Sequence, residues 1–347
     1  MRPFVCLLIT LLAFGAAAFS QTEEREVYAI GFYNLENLFD TCHDDGKNDV
    51  DFLPDGRYEW NSEKYAHKLA NMAKVLGEMG TDAETKLPGC AIIGVSEVEN
   101  AACLTDLCSQ PPLASRGIRF CHQEGPDARG IDCALLYDPK LFKPSEVNLL
   151  AYVPDNEKDP TFATRGFLTV CGTLGGEDIA VIVCHLPSRH NDSSYRECGA
   201  AQIRAIKDSL IAENQARKVV VMGDMNDDPS DESMANVLRA RKNIKEVGAE
   251  DMYNPWWNVL ENGVGTLSYK GKWNLFDQII LSPSLLGDNG DGLGESLTYW
   301  RNEVFIRDYL LHSEGDYKGT PLRTMEGGKW ADGYSDHLPT IIYLSKK

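Results

Sequence analysis

The sequence lacks several features that would place it in common classes of protein. After its first twenty residues it has no apolar run long enough to cross a membrane as a helix, which takes about 20 residues. It has no Cys-x-x-Cys motif, which argues against a zinc ribbon or a thiol redox centre. It also has no internal repeat, no low-complexity segment and no linker rich in proline or serine. A length of 347 residues is a weak indication of two domains, but these absences favour one.

Basic residues are scarce relative to acidic ones. The chain has 34 Lys and Arg against 52 Asp and Glu, which gives a formal net charge of −18. A protein that grips nucleic acid over a broad face needs a basic surface, so this balance argues against such a clamp. It still permits a local cationic site or a phosphate site bridged by a metal. With 43% hydrophobic and 25% charged residues, the composition is that of an ordinary globular protein.

The first twenty residues have the pattern of a secretory signal peptide. Arg2 precedes an apolar run from Phe4 to Phe19, and small residues lead up to Ser20. We therefore predict cleavage after Ser20, a secreted or periplasmic protein, and one mature domain over residues 21–347. An uncleaved anchor is the alternative, but the run is slightly short for a membrane span. Nine cysteines follow the signal peptide, and the sequence leaves any disulfide pairing among them open.

Apolar periodicity predicts strands that alternate with helices. Strands are predicted over residues 26–33, 90–95, 131–137, 167–174, 179–184, 219–222, 278–281 and 340–344. Asn61 as N-cap, an apolar stripe at helical spacing and a stop at Gly80 predict a first helix. A capping box that begins at Ser194 predicts a second helix, and a third is expected from Ser230. The glycine-rich segment 287–333 is predicted to be an elaborated loop before the last strand.

Polar clusters lie at the ends of these strands. Four of them follow a strand directly and two precede one, and their leading residues are Asn34, Glu97, His185, Asp224, Asp277 and Asp336. In α/β folds, ligands tend to bind at the carboxyl ends of strands. A single polar residue after a strand is usually a turn residue. Six clusters of acids, amides and imidazoles in one chain instead indicate a functional site.

Seven segments carry a family resemblance. In order along the chain they read GFYNLEN, IIGVSEVEN, RGIDCALLY, VCHLPS, VVVMGDMNDDP, LFDQIILS and YSDHLP. In order and spacing they resemble the motifs of the endonuclease/exonuclease/phosphatase superfamily, which includes deoxyribonuclease I, exonuclease III, inositol polyphosphate 5-phosphatases and neutral sphingomyelinases. The resemblance spans about residues 28–344. It implies a four-layered α/β sandwich of the deoxyribonuclease I type, with two central mixed β-sheets flanked by helices, and divalent-metal-dependent phosphoester hydrolysis.

The resemblance also implies a metal site. Glu97 matches the family's metal-binding glutamate, Asn34 the asparagine that supports metal and phosphate, and Asp336 a further acidic residue of the metal site. Hard oxygen ligands suit Mg²⁺ or Mn²⁺, with Ca²⁺ as an alternative.

Five residues match the family's catalytic positions. His337 matches the catalytic histidine, as a general base or as a donor to the phosphoryl oxygen, and Asp277 the aspartate that fixes its tautomer. Asp224 and Asn226 match the pair that positions the attacking water and the phosphate. His185 matches a second histidine, which would stabilise the phosphate or protonate the leaving oxygen. The chemistry implied is positioning and charge neutralisation without a covalent nucleophile.

Other residues near these motifs have weaker claims. Arg129 and Arg165 are less certain phosphate contacts. Glu36 lies two residues beyond Asn34 and could face the same side of an extended chain, so its role stays open. Loop or helix-cap roles are expected for Glu99, Asp227 and Asp228. Trp256 and Trp257, in a predicted loop, are candidates to contact a ring substrate, whereas Trp273 is assigned to the core.

Three functions are compatible with these residues. The leading hypothesis is an exported metal-dependent phosphodiesterase or endonuclease acting on DNA or RNA. The second keeps the same catalytic core but assigns a phosphomonoester or a lipid headgroup, such as an inositol phosphate or sphingomyelin. A non-catalytic binding protein is disfavoured because all the matched positions are filled together. The loops that choose a substrate lie outside the motifs, and we expect a monomer.

Overall fold

The computed structural model describes residues 25–83, 85–154, 162–287 and 294–347. The predicted signal peptide lies outside the described residues. None of the helices in the described ranges is both long enough and apolar enough to cross a membrane.

Thirteen strands form the two large sheets of the described chain. In chain order they are β1 (Glu26–Leu38), β2 (Ile92–Val98), β3 (Arg119–His122), β4 (Asp132–Tyr137), β5 (Phe142–Leu150), β6 (Phe167–Leu174), β7 (Glu177–His185), β8 (Lys218–Asp224), β9 (Ala240–Arg241), β10 (Met252–Tyr253), β11 (Asp277–Leu281), β12 (Thr298–Val304) and β13 (Thr340–Lys346). Three small hairpins pair Thr81–Asp82 with Leu87–Pro88, Leu267–Tyr269 with Lys272–Asn274, and Met325–Glu326 with Lys329–Trp330. The helices are α1 (Ser62–Glu78), α2 (Ala101–Cys108), α3 (Pro111–Ala114), α4 (Ser193–Glu213) and α5 (Trp257–Glu261).

The two sheets are mixed and lie at the centre of the fold. The first sheet has the order β12-β13-β1-β2-β4-β3, and the second has the order β9-β10-β11-β8-β7-β6-β5. In the first sheet β1 pairs parallel with β2 and antiparallel with β13. In the second, β8 pairs parallel with β7 and antiparallel with β11. Each pair brings a strand end with a polar cluster beside its counterpart, so the topology gathers the clusters at one end of the sandwich.

Three apolar clusters hold four layers together. Alternate residues of β1 divide between two of them, because successive side chains of a strand point to opposite faces. Ile30 and Phe32 pack between the sheets, whereas Ala29 and Tyr33 pack against α1 and α2. The outer face of the second sheet packs against α4 through residues such as Ile203. The predicted four-layered α/β sandwich is confirmed.

The signals at the ends of the first helix are confirmed. Asn61 caps α1, and its side chain accepts hydrogen bonds from the backbone N–H groups of Glu63 and Lys64. Gly80 follows the helix with a φ of 69°, the left-handed conformation that glycine adopts without a steric penalty.

Other local predictions were wrong. The N-cap of α4 is Asp192 and not Ser194, since Asp192 accepts the hydrogen bond from the Ser194 N–H group. In place of a third helix from Ser230 there is a short π-helical turn over Ser233–Val237. The segment 287–333 is not all loop, because it contains edge strand β12, whose residues are largely half-buried and so lack a strong apolar signature.

Buried groups correct the expectation for Trp256 and answer the question of disulfide pairing. Trp256 is completely buried between the sheets and donates from Nε1 to the Ile279 carbonyl, so it is a core residue and not a substrate contact. All nine cysteines of the described chain have free thiols. Cys133, Cys171 and Cys184 are buried in the apolar strands as expected.

Candidate active site

Three neighbouring strands of the second sheet place three of the predicted residues in one row. Asp224 lies opposite His185 across the parallel β7–β8 pair and opposite Asp277 across the antiparallel β8–β11 pair. All three side chains are buried. The Nε2 atom of His185 is 3.5 Å from Asp224 Oδ2. Strand register alone therefore assembles a row of two acids and one imidazole, although His185 and Asp277 are 92 positions apart in the sequence.

His337 completes this row from the chain just before β13. Its Nδ1 donates to Asp277 Oδ2 at 2.7 Å, and its Nε2 is 3.7 Å from Asp224 Oδ2. Ser335 fixes the backbone here, because its hydroxyl accepts from the His337 N–H group and donates to the Asn34 carbonyl. The carboxylate of Asp277 thus holds the imidazole ring in an orientation that places Nε2 toward Asp224.

The first sheet contributes Asn34 and Glu97. Asn34 Oδ1 accepts the Glu36 N–H group, so its amide nitrogen faces Asp224 Oδ2 at 3.1 Å and Glu97 Oε1 at 3.4 Å. Glu97 has a φ of 62° at a point where the register of β2 with its neighbours shifts. Such a bulge redirects a side chain, and left-handed backbone in a non-glycine residue is typical of functional positions. The Asn37 N–H group donates to Glu97 Oε2 and holds the carboxylate in place.

The loop after β8 holds Asn226 against both neighbouring segments. Asn226 has a φ of 51°, its N–H group donates to Asp224 Oδ1, and its side-chain nitrogen donates to the Leu186 carbonyl. The turn therefore folds back on Asp224. The neighbouring acids have other partners: Asp227 accepts from Ser233, and Asp228 accepts from the Leu275 N–H group.

Burial and neighbouring charges separate the protonation behaviour of the two histidines. Burial lowers the pKa of His337, but the carboxylates of Asp277 and Asp224 outweigh it and raise the pKa well above its ordinary value. The pKa of His185 is well below its ordinary value because the ring is buried and lies near the positive charges of Arg165 and Arg129. Burial also raises the pKa of Asp224 to about 7, against the opposing charge of His337. These shifts favour a protonated His337 and an uncharged His185 near neutral pH.

A cavity of about 500 Å³ opens onto these residues, and Arg129 and Arg165 line it together with the acids and imidazoles. The two arginines differ in their partners. Arg165 is buried and donates to Asp127 Oδ2 at 3.0 Å and to the Leu186 carbonyl. The side chain of Arg129 is 47% exposed, and its Nε lies 3.8 Å from Asp127 Oδ1, which is too far for a hydrogen bond. Arg129 is consequently the arginine with donors to spare for a phosphate.

Asp336 also lines the cavity, and its two oxygens have different surroundings. Oδ1 is 3.9 Å from His337 Nε2, whereas Oδ2 accepts from Arg323 Nη2 at 2.9 Å. Arg323 donates at the same time to Glu36 Oε1 at 2.9 Å. Glu36 therefore turns away from the cavity, which settles the question that the sequence left open about its direction.

The donor set around Glu97 and Asp224 is chemically suited to a divalent cation. Within the described ranges, neither carboxylate forms an ion pair with a lysine or arginine; His185 lies near both of them, and His337 lies near Asp224. Carboxylate oxygens are ligands that Mg²⁺ and Mn²⁺ prefer. Asp224, Asp277 and His337 also offer ligand atoms that all lie within 4.8 Å of one another.

The sequence indicates no role for three residues of this site. Arg323 lies in the predicted loop 287–333, and no motif includes it. Asp127 neutralises Arg165, and Ser335 joins His337 to Asn34. The serine directly precedes the recognised Asp336–His337 pair, so its position was the available signal.

One family model, that of the Endonuclease/Exonuclease/phosphatase family, matches the chain over residues 29–346. The chain belongs to this family. It is accordingly an enzyme of the metal-dependent phosphoester hydrolase type, and the resemblance inferred from the seven motifs is confirmed.

Solved structures of the family share the fold at low sequence identity. One is an endonuclease/exonuclease/phosphatase family protein from Bacteroides thetaiotaomicron, with 14% identity and a TM-score of 0.56 over 93% of this chain and 96% of that one. A mannosyl-6-phosphatase of B. thetaiotaomicron has 16% identity and a TM-score of 0.54 over 91% and 99%. D. rerio TDP2 in complex with a single-strand DNA product has 15% identity and a TM-score of 0.53 over 92% and 98%. A sequence search of curated proteins gave no match.

Proposed function

We propose that this family member is an exported phosphodiesterase that cleaves nucleic acid. The observation that carries the proposal is the charge of the cavity. Among the lining residues that the structure describes, Arg129 and Arg165 are the two permanent cations, and Asp127 already neutralises Arg165. A phosphodiester carries one negative charge and a phosphomonoester close to two at neutral pH. The carboxylates of Glu97, Asp127, Asp224 and Asp336 also line the cavity, so its few positive charges favour the singly charged diester. The DNA-bound TDP2 structure supports the same choice.

Each side chain has a place in the proposed hydrolysis. Asp224, with a pKa of about 7, is suited to accept the proton of the attacking water, which Asn226 helps to position. The water oxygen bonds to phosphorus as the phosphorus–oxygen ester bond breaks, and the leaving oxygen keeps the electron pair of that bond and takes up a proton from solvent. His337, as an imidazolium, donates to a phosphoryl oxygen, and this assigns it the donor role of the two that the sequence allowed.

The remaining residues bind phosphate and metal. His185 is a neutral donor beside the leaving oxygen, and Arg129 contacts the phosphate from the rim. A divalent cation, which Glu97, Asp336 and Asn34 would hold, supplies positive charge to the phosphate oxygens when bound. We propose Mg²⁺ or Mn²⁺ for this role, because both prefer oxygen donors.

A panel of substrates tests the proposal. The mature protein would be incubated with Mg²⁺ or Mn²⁺ and plasmid DNA, RNA, bis-p-nitrophenyl phosphate or p-nitrophenyl phosphate. We expect cleavage of the diesters. Hydrolysis of the monoester alone would overturn the nuclease assignment and favour the phosphatase alternative. Chelation should abolish cleavage of every substrate.

Replacement of the catalytic histidine gives a matched comparison. His337→Ala should lower kcat/KM by at least about 100-fold, because a positioned proton donor contributes that much. His67→Ala is the control, since His67 is exposed on α1 and does not line the cavity. Activity of the His337 variant close to that of the His67 variant would contradict the assigned role.

A further inference from the structure

Arg323 joins two carboxylates at the edge of the cavity. Its Nη2 donates to Asp336 Oδ2 and its Nε donates to Glu36 Oε1, both at 2.9 Å. Charge-assisted hydrogen bonds of this length are about twice as strong as neutral ones. The bond takes up one oxygen of Asp336 and leaves the other facing His337 at 3.9 Å. The guanidinium therefore fixes which oxygen of Asp336 faces the site.

The backbone that carries Arg323 is itself anchored to the first helix. Lys68 on α1 is completely buried, and its Nζ donates to Thr324 Oγ1 at 2.5 Å and to the Tyr334 carbonyl at 2.6 Å. The Thr324 N–H group donates to Glu36 Oε2 at 2.7 Å. Thr324, the residue directly after Arg323, is thus bonded to Lys68 of α1 and to Glu36 of β1.

These contacts form a continuous support for Asp336. Hydrogen bonds join Lys68 to Thr324, Thr324 to Glu36, Glu36 to Arg323 and Arg323 to Asp336, and the first three connect parts of the chain that are distant in sequence. Asp336 is only partly buried, with a side chain 26% exposed, so solvent alone would leave its carboxylate several rotamers. Groups that hold a metal ligand in one orientation commonly raise metal affinity or activity 10- to 100-fold.

We propose that Arg323 is a positioning residue that presents Asp336 to the metal site, with Lys68 anchoring the segment that carries it. The inference rests on the proposed function, because that function assigns Asp336 to the metal. Arg323 acts through Asp336 and does not itself touch substrate. Arg323 lies in the segment before β13, outside the motifs that carry the family resemblance.

The decisive measurement is the affinity for Mn²⁺ without substrate, by electron paramagnetic resonance of the free ion or by calorimetry. Arg323→Met should raise the Kd for Mn²⁺ by about 10- to 100-fold. Arg241→Met is the matched control, because Arg241 also bonds a carboxylate, that of Asp251, and its side chain is similarly exposed. The control should leave the Kd unchanged.

A double-mutant cycle separates positioning from general destabilisation. In the Asp336→Asn background, Arg323→Met should change the Kd by no more than about twofold. The reason is that Arg323 acts through the Asp336 carboxylate, which this background already lacks. An equal loss in both backgrounds, or a single variant with wild-type Kd, would overturn the inference. Arg323→Lys, which keeps the charge but lacks the guanidinium fork, should give an intermediate Kd and serves if the methionine variant does not fold.

The outcome for the inference is distinct from the outcome for the proposed function. Wild-type binding of Mn²⁺ that depends on Arg323 and Asp336, without cleavage of any diester, would support the positioning role and overturn the nuclease assignment. Binding of Mn²⁺ that does not respond to Asp336→Asn would overturn the positioning role, whatever the substrate.

Discussion

At the scale of single residues, the environment of His337 decides a role that its identity leaves open. A histidine in a hydrolase motif serves as base or as donor, and an unperturbed imidazole suits either task. Here Asp277 bonds Nδ1 at 2.7 Å and Asp224 lies near Nε2. The resulting rise in the pKa of His337 favours the donor form at neutral pH.

Asp277→Asn should shift the pH dependence of the enzyme. Removing the nearest carboxylate lowers the pKa of His337, and the imidazolium is then lost at a lower pH. The alkaline limb of the kcat/KM profile should move down by about one to two pH units. The acidic limb, which requires ionised Asp224 with a pKa of about 7, should move far less. An alkaline limb that stays in place would show that another group controls it.

The two cavity arginines should respond differently to truncation. Arg129→Ala should raise KM with little change in kcat or stability. The proposed role of this exposed side chain is to bind the phosphate equally in the ground state and the transition state. Arg165→Ala should instead lower the free energy of unfolding by about 3–5 kcal/mol, since it removes the hydrogen-bonded guanidinium partner of the buried Asp127 carboxylate. Steady-state kinetics and denaturant unfolding of both variants measure the contrast, and the same behaviour in both would contradict it.

At the scale of elements, the apolar runs predicted the central strands because burial on both faces leaves a continuous apolar signature. The edge strand β12 escaped prediction, since half-buried residues such as Asn302 and Glu303 carry no such signature. Trp256 shows the opposite failure: its neighbours Asn254 and Pro255 indicate a loop, yet the ring fills the space between the sheets. Local sequence reports local conformation, and tertiary packing decided both positions.

The close approach of two strands requires a glycine at position 223, directly before Asp224 in β8. A Cβ atom at this position would lie 2.1 Å from the backbone carbonyl oxygen of Cys184 on the neighbouring strand. Gly223→Ala should therefore part β8 from β7, lower stability by about 3 kcal/mol and displace Asp224. Gly94→Ala is the comparison, because its Cβ would meet the movable Sδ of Met222, and about 1 kcal/mol is expected.

Denaturant unfolding and kcat measure the pair of glycine variants. We expect the Gly223 variant to lose activity even under conditions where it remains folded. Equal free energies of unfolding for the two alanine variants would contradict the greater destabilisation expected from the backbone contact at Gly223.

At the scale of the whole molecule, the motifs predicted which residues lie together, because each motif lies at a strand end and strand pairing aligns those ends. The contribution of Arg323 was beyond such reasoning, since it depends on the path of an irregular segment past β1. The excess of acidic residues also takes on a different meaning. Glu97 and Asp224 concentrate negative charge where a cation would reverse its sign.

Export is tested on the mature amino terminus. If residues 1–20 are a signal peptide, protein recovered from the periplasm or the medium should begin at Gln21. Intact-mass measurement and amino-terminal sequencing give the position directly. A protein that keeps Met1 and remains with the membrane fraction would contradict cleavage and favour the uncleaved anchor.

The first sheet closes by pairing its first strand with its last. In β1 and β13, Val27 lies opposite Ser345 and Phe32 lies opposite Thr340, and β13 also separates β1 from β12. His337 directly precedes this late strand. While a ribosome is still holding these residues, the nascent chain has neither a continuous first sheet nor its catalytic imidazole. Synthesis order would thus leave the candidate active site incomplete until the polypeptide is released.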